Sequence, residues 1–201
     1  MKRFLALFIT TFMLSFSAIA QDHTPRPPRT TPSTPSTPST PKPGPGRNAP
    51  DFAAAGWTKY ISDEGRFSVF MPGVPEQKVE TTQSEHGPYT TTLVILRQPR
   101  NVFLIGWVDY DPSFNFNRQA ELEANRDQFV KNIDARLLET HSTRIDGYQA
   151  LEFTAENANR VFRSRVYMVG RRPYQLVIGS PKGVDDSVNV DRFFSSFKIS
   201  P

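Results

Sequence analysis

The chain contains no cysteine. That excludes disulfides, thiolate nucleophiles and thiolate metal sites, and it leaves no residue for lipid attachment near the N-terminus. No Asn-x-Ser/Thr acceptor occurs either. Histidine is scarce: beyond residue 49 there are only His86 and His141. An activated nucleophile needs an adjacent base, usually a histidine with a carboxylate behind it. His86 falls in a turn and His141 in a polar strand, so both read as surface residues. There is no Gly-x-Ser-x-Gly elbow, no glycine loop for phosphate and no ligand cluster with metal spacing. The expectation is therefore a domain with no catalytic residue, no metal and no cofactor.

The first twenty residues carry Lys2 and Arg3, then an uncharged stretch rich in Phe, Leu and Ile up to Ile19. Ala18-Ile19-Ala20 is a small-x-small cleavage pattern, so residues 1–20 are read as a secretory signal, with no stable membrane span after cleavage. Thr10, Thr11, Ser15 and Ser17 weaken this stretch as a permanent anchor. Residues 21–49 are rich in Pro, Thr and Ser and include a Ser-Thr-Pro repeat. They are read as a disordered, polyproline-like linker reaching on the order of 70 Å. A glycosylated stalk or a wall-threading segment are the alternatives.

Residues 50–201 are long enough for one ordinary domain. The whole chain has a formal charge of +4, yet residues 1–49 hold six Lys/Arg and one Asp. The domain is left with 18 basic and 19 acidic residues. The basic pI thus belongs to the leader and linker, and nucleic acid is not an expected partner.

Within the domain, period-two alternation predicts strands over 57–61, 66–71, 76–84, 89–97 and 101–110. "VFLIGWV" is apolar on both faces and suits a central strand. A helix is predicted over 118–134, capped by Asn117, with Leu122, Phe129, Val130 and Ile133 on one face. Glu121 and Glu123 are expected to be solvated, pointing to different sides of it. Strands over 136–144 and 148–155 flank Asp146-Gly147, a strong hairpin signal. Another pair surrounds Gly170-Arg171-Arg172-Pro173. A final helix, capped by Asp185 or Asp186, presents Val190, Phe193, Phe194 and Phe197 at helical spacing. Hairpins dominate, so the expected fold class is α+β: a mainly antiparallel sheet flanked by helices.

"WTKYISDEGRFSVFMPGVPE" near the start of the domain and "RPYQLVIGSP" with "FFSSFKI" near its end resemble the corner motifs of the PsbP-like α/β/α sandwich. The resemblance spans residues 57–199. It implies the fold shared by the extrinsic lumenal subunit of photosystem II and by Ran-binding nuclear-transport proteins. No residue matched here ties the chain to photosystem II, and one fold hosts many functions.

Asp109-x-Asp111 offers two carboxylates for Ca²⁺ but lacks the loop that would complete a site, and Asp185-Asp186 reads as a helix start. Trp57, Trp107 and the C-terminal phenylalanines are expected in the core. The one local basic cluster is Arg160, Arg163, Arg165, Arg171 and Arg172. Arg163, Arg165, Tyr167, Arg171 and Arg172 are the candidate binding residues for a carboxylate, a phosphate or an anionic polymer. The competing reading is an outer sheet face paired with Glu152 and Glu156. The expected function is a secreted or periplasmic, non-enzymatic accessory or binding module, with an envelope protein or anionic polymer as partner. A hydrolase whose site assembles only in three dimensions and a cell-wall or glycan-binding domain are the alternatives.

Overall fold

The computed structural model describes residues 56–200 apart from His86 and Phe116. The signal and linker readings lie outside the described residues. The described chain runs β1 (Thr58–Ser62), β2 (Phe67–Met71), β3 (Glu76–Ser84), β4 (Gly87–Arg97), β5 (Val102–Tyr110), α1 (Arg118–Asn132), β6 (Arg136–Ile145), β7 (Tyr148–Glu156), β8 (Arg160–Val169), β9 (Arg172–Pro181), α2 (Ser187–Ser196) and β10 (Lys198–Ile199).

Seven strands form one antiparallel sheet in the order β3-β4-β5-β9-β8-β7-β6. It consists of two meanders, β3–β5 and β6–β9, each built from sequence-adjacent hairpins. They join where β5 pairs with β9. That makes β5 a central strand, as its two apolar faces require. Asp146 and Gly147, at φ 52° and 82°, form the tight turn between β6 and β7. Two successive positive φ values match the strands' right-handed twist.

Alternation along the strands builds two cores. Phe103, Ile105 and Trp107 of β5, with Tyr174, Leu176 and Ile178 of β9, face α2 and the small sheet. Leu104 and Val177 face the other way, toward Phe129 and Ile133 of the α1 side. β1, β2 and β10 form a separate three-stranded sheet over the first core. Phe67 links the layers, with ring centroids 5.6 Å from Trp107 and 5.3 Å from Phe197.

The α+β architecture and the helix on each face agree with the sequence reading. Asn117 caps α1, its side-chain oxygen accepting from the N–H groups of Gln119 and Ala120. Three local features differ. β10 is a two-residue strand on β2, too short for any periodicity to reveal. α2 ends at Ser196, and Phe197 turns extended to enter the core. Glu121 is buried, not solvated, because the β5 end and α1 close around it.

Candidate functional site

The strand-borne candidates share a face. Arg163, Arg165 and Tyr167 alternate along β8 with Phe162, Ser164 and Val166, which turn toward α1. Their face is the one that carries α2, so it is not uniformly an outer face. Tyr167 is a core residue, its ring centroid 5.5 Å from that of Phe197. Burial raises its phenol pKa, partly countered by the neighbouring Arg165.

Arg165 stands at the border of the covered region. Its guanidinium lies 4.6 Å from the centroid of the Phe194 ring and pairs with the carboxylate of Glu152, its neighbour on β7. Arg163 lies one pair further along, across from Thr154. It is close enough to Asp185 to help hold that carboxyl below the usual range, after the bonds to Ser187 that dominate the shift.

Beyond them the face opens to solvent. Glu139 of β6 accepts from the Thr154 hydroxyl at 2.8 Å, and His141 stands opposite Glu152. The side chains of His141 and Glu139 are 67% and 59% exposed, and their polar atoms are 3.7 Å apart. Two cross-strand rows result: Glu139, Thr154 and Arg163, then His141, Glu152 and Arg165.

The turn arginines stand apart from these rows and act on backbone. One guanidinium nitrogen of Arg171 donates to the carbonyls of Asp111, Pro112 and Phe114, at 2.6–3.3 Å, and so gathers the loop before α1. Arg172 pairs with Asp109 at 2.5 Å and donates to the carbonyl of Glu64 at 2.9 Å. Beside it, the Tyr174 hydroxyl donates to the carbonyl of Gly65 at 2.9 Å. The two sequence stretches that carry the PsbP-like resemblance therefore meet here, the second clasping the Ser62–Arg66 corner of the first.

Sequence reasoning missed two polar clusters. The Tyr110 hydroxyl donates to the Glu121 carboxylate at 2.5 Å, and Asn125 donates to the same oxygen at 3.1 Å. Burial raises the Glu121 pKa, and these two bonds oppose the rise. Burial and the adjacent Glu121 also raise that of Tyr110. The signal available was thin: Glu121 stands beside Leu122 of the apolar face, between the charges of Arg118 and Glu123. Asp186, expected as a helix cap, makes no side-chain capping bond. Its carboxylate instead accepts from Ser180 (2.6 Å), Asn189 (2.7 Å) and Asn101 (3.3 Å). The cap-like bond comes from Asp185, which accepts from the Ser187 N–H.

Asp109 is committed to Arg172, and Asp111 accepts from the Ser113 N–H. Among the described residues, no three His, Cys, Asp or Glu side chains are placed to hold a metal ion. No described helix is long and apolar enough to cross a membrane.

No family model matches the chain, and no curated protein matches it. Among solved structures, the chain is similar to the solution structure of cyanobacterial PsbP (CyanoP) from Synechocystis sp. PCC 6803, with a TM-score of 0.49 and 11% identity over 71% of this chain and 92% of that one. It is also similar to a crystal structure from Bacteroides thetaiotaomicron, with a TM-score of 0.35 and 16% identity over 71% of this chain and 48% of the other. A third is the protein PA94 of Pseudomonas aeruginosa, with a TM-score of 0.31 and 10% identity over 63% of this chain and 83% of that one. The likenesses concern the fold alone.

Proposed function

We propose that the chain is a secreted, non-enzymatic binding domain of the cell envelope that docks a protein partner on the open part of the β6–β7–β8 face. The observation that carries this reading is the pair of mixed-charge rows, Glu139–Thr154–Arg163 and His141–Glu152–Arg165, on the part of the face left open to solvent. Sheet rigidity presents these side chains in fixed register, which favours recognition by complementary pairs. Carboxylates interleave with the arginines, so a protein of mixed charge suits the face better than a uniformly anionic polymer. Arg171 and Arg172 take no part in this surface. Their role is to hold the loop before α1 and the Ser62–Arg66 corner.

The test is retention of envelope proteins on the immobilised chain. Arg163→Glu puts a third carboxylate beside Glu139 and Glu152 and should release the bound protein without lowering the melting temperature. Lys59→Glu, on β1, should leave retention intact. Equal retention by wild type and Arg163→Glu discards the face as the docking surface.

A further inference from the structure

The charges on the open β6–β7–β8 face are not equivalent. Glu152 of β7 is paired with Arg165, its neighbour on β8. Arg163 stands near Asp185, ahead of α2. Glu139 differs from both. Its carboxylate accepts from the Thr154 hydroxyl at 2.8 Å, a neutral group, and among the described residues its ion-pair neighbour is His141, at 3.7 Å. No described lysine or arginine lies within that distance of it. Both side chains are exposed.

We propose that His141 makes docking on this face dependent on pH: while neutral it leaves Glu139 open to a cationic side chain of the protein partner, and once protonated it closes that seat. The proposal rests on the reading of the face as a docking surface, and it names what regulates that surface. Of the side-chain types present here, imidazole changes charge between pH 8 and pH 5, whereas carboxylates and guanidinium groups as classes keep theirs. The Thr154 hydroxyl holds the Glu139 carboxylate in place, at a fixed register of the sheet. With His141 neutral, that negative charge is available to a lysine or arginine of the partner. Protonation places a cation 3.7 Å from it, which offsets the carboxylate and repels the incoming charge.

The surroundings direct the new charge at Glu139. His141 stands opposite Glu152, but Glu152 is already offset by Arg165, the next residue of the same row. Arg163 lies in the adjacent row, across from Thr154. From the α2 side the bordering group is the Phe194 ring, against Arg165. Arg126 and Gln119 of α1 reach Thr140 and Ser142, which point to the other face of β6. An imidazolium here therefore has one carboxylate without a cation beside it.

The experiment measures the affinity of the immobilised full chain for the envelope protein fraction at pH 8 and again at pH 5.5, at constant ionic strength. Wild type should bind about two- to five-fold more weakly at the lower pH, the scale of one exposed charge pair. His141→Gln stays neutral and should keep its pH 8 affinity at pH 5.5, apart from any response of the partner. His141→Lys stays cationic and should bind at pH 8 as weakly as wild type does at pH 5.5. Both substitutions are at an exposed position, so both variants should melt with wild type. Equal wild-type affinity at the two pH values overturns the switch and leaves the docking surface standing. So does a fall in His141→Gln as large as that in wild type. Failure of wild type to retain protein at pH 8 discards the docking surface itself, and the switch with it.

Discussion

Gly65 is required by space, not by an unusual backbone. The left-handed residue of that corner is Arg66, at φ 50°. A Cβ on Gly65 would sit 2.5 Å from the Phe67 ring and 2.8 Å from the Ser62 Oγ, which accepts from the Gly65 N–H. Gly65→Ala should therefore cost about 1–3 kcal/mol, as overpacking does, measured by chemical denaturation. Glu121 and Glu123 show how little a residue's identity says about its surroundings. They stand two apart on α1, one buried and one exposed. The raised pKa of Glu121 means that the folded state binds its proton more tightly than the unfolded chain does. Its contribution to stability is full below the unfolded value of 4.5 and is lost as pH rises through the folded value. Glu121→Gln should be more stable than wild type at neutral pH, and the advantage should vanish in acid. A constant difference across that range would contradict the burial argument.

Elements were legible where their signals are local. Asp146-Gly147 specified a hairpin, Asn117 a helix start, and the period-two runs of β2 and β8 their buried faces. What escaped was long-range. α2 depends on Asp186, whose donors Ser180, Asn189 and Asn101 come from three segments. Spacing alone suggested a cap; the burial of the carboxylate among sheet residues made it a tie. Asp186→Ala strips the partner from buried Ser180 and Asn101 and should cost about 1–3 kcal/mol, loosening α2 first. Faster amide exchange confined to α2, ahead of β4, β5 and β9, is the expected pattern. The split of β1, β2 and β10 into their own sheet was equally hidden, because strand pairing is a choice among partners of similar propensity.

As a whole molecule the domain is a twisted antiparallel sheet between unequal covers. Both edges, β3 and β6, are largely exposed. They are populated by Glu, Lys, Arg, Thr and His, residues that discourage pairing with another chain. Glu139→Val with His141→Val should convert β6 into an adhesive edge, seen as concentration-dependent dimerisation in sedimentation. A strictly monomeric variant would show that the Leu137/Glu139 irregularity in the β6–β7 register protects the edge by itself.

Sequence alone determined the α+β class, most strand boundaries, the core faces and the displacement of net positive charge into residues 1–49. These follow from periodicity, turn chemistry and composition, which act over a few residues. Tertiary structure alone decided what each arginine does. Arg172 meets Asp109 from 63 positions away and the Glu64 carbonyl from 108. No pattern within β9 or its turn encodes those partners. The same five-arginine cluster is thereby divided three ways: Arg171 and Arg172 hold loops, Arg163 and Arg165 stand in the mixed-charge rows, and Arg160 donates to the carbonyls of Arg100 and Gly179. Charge is a property of the residue, whereas its availability depends on which distant backbone and carboxylates the fold brings within reach.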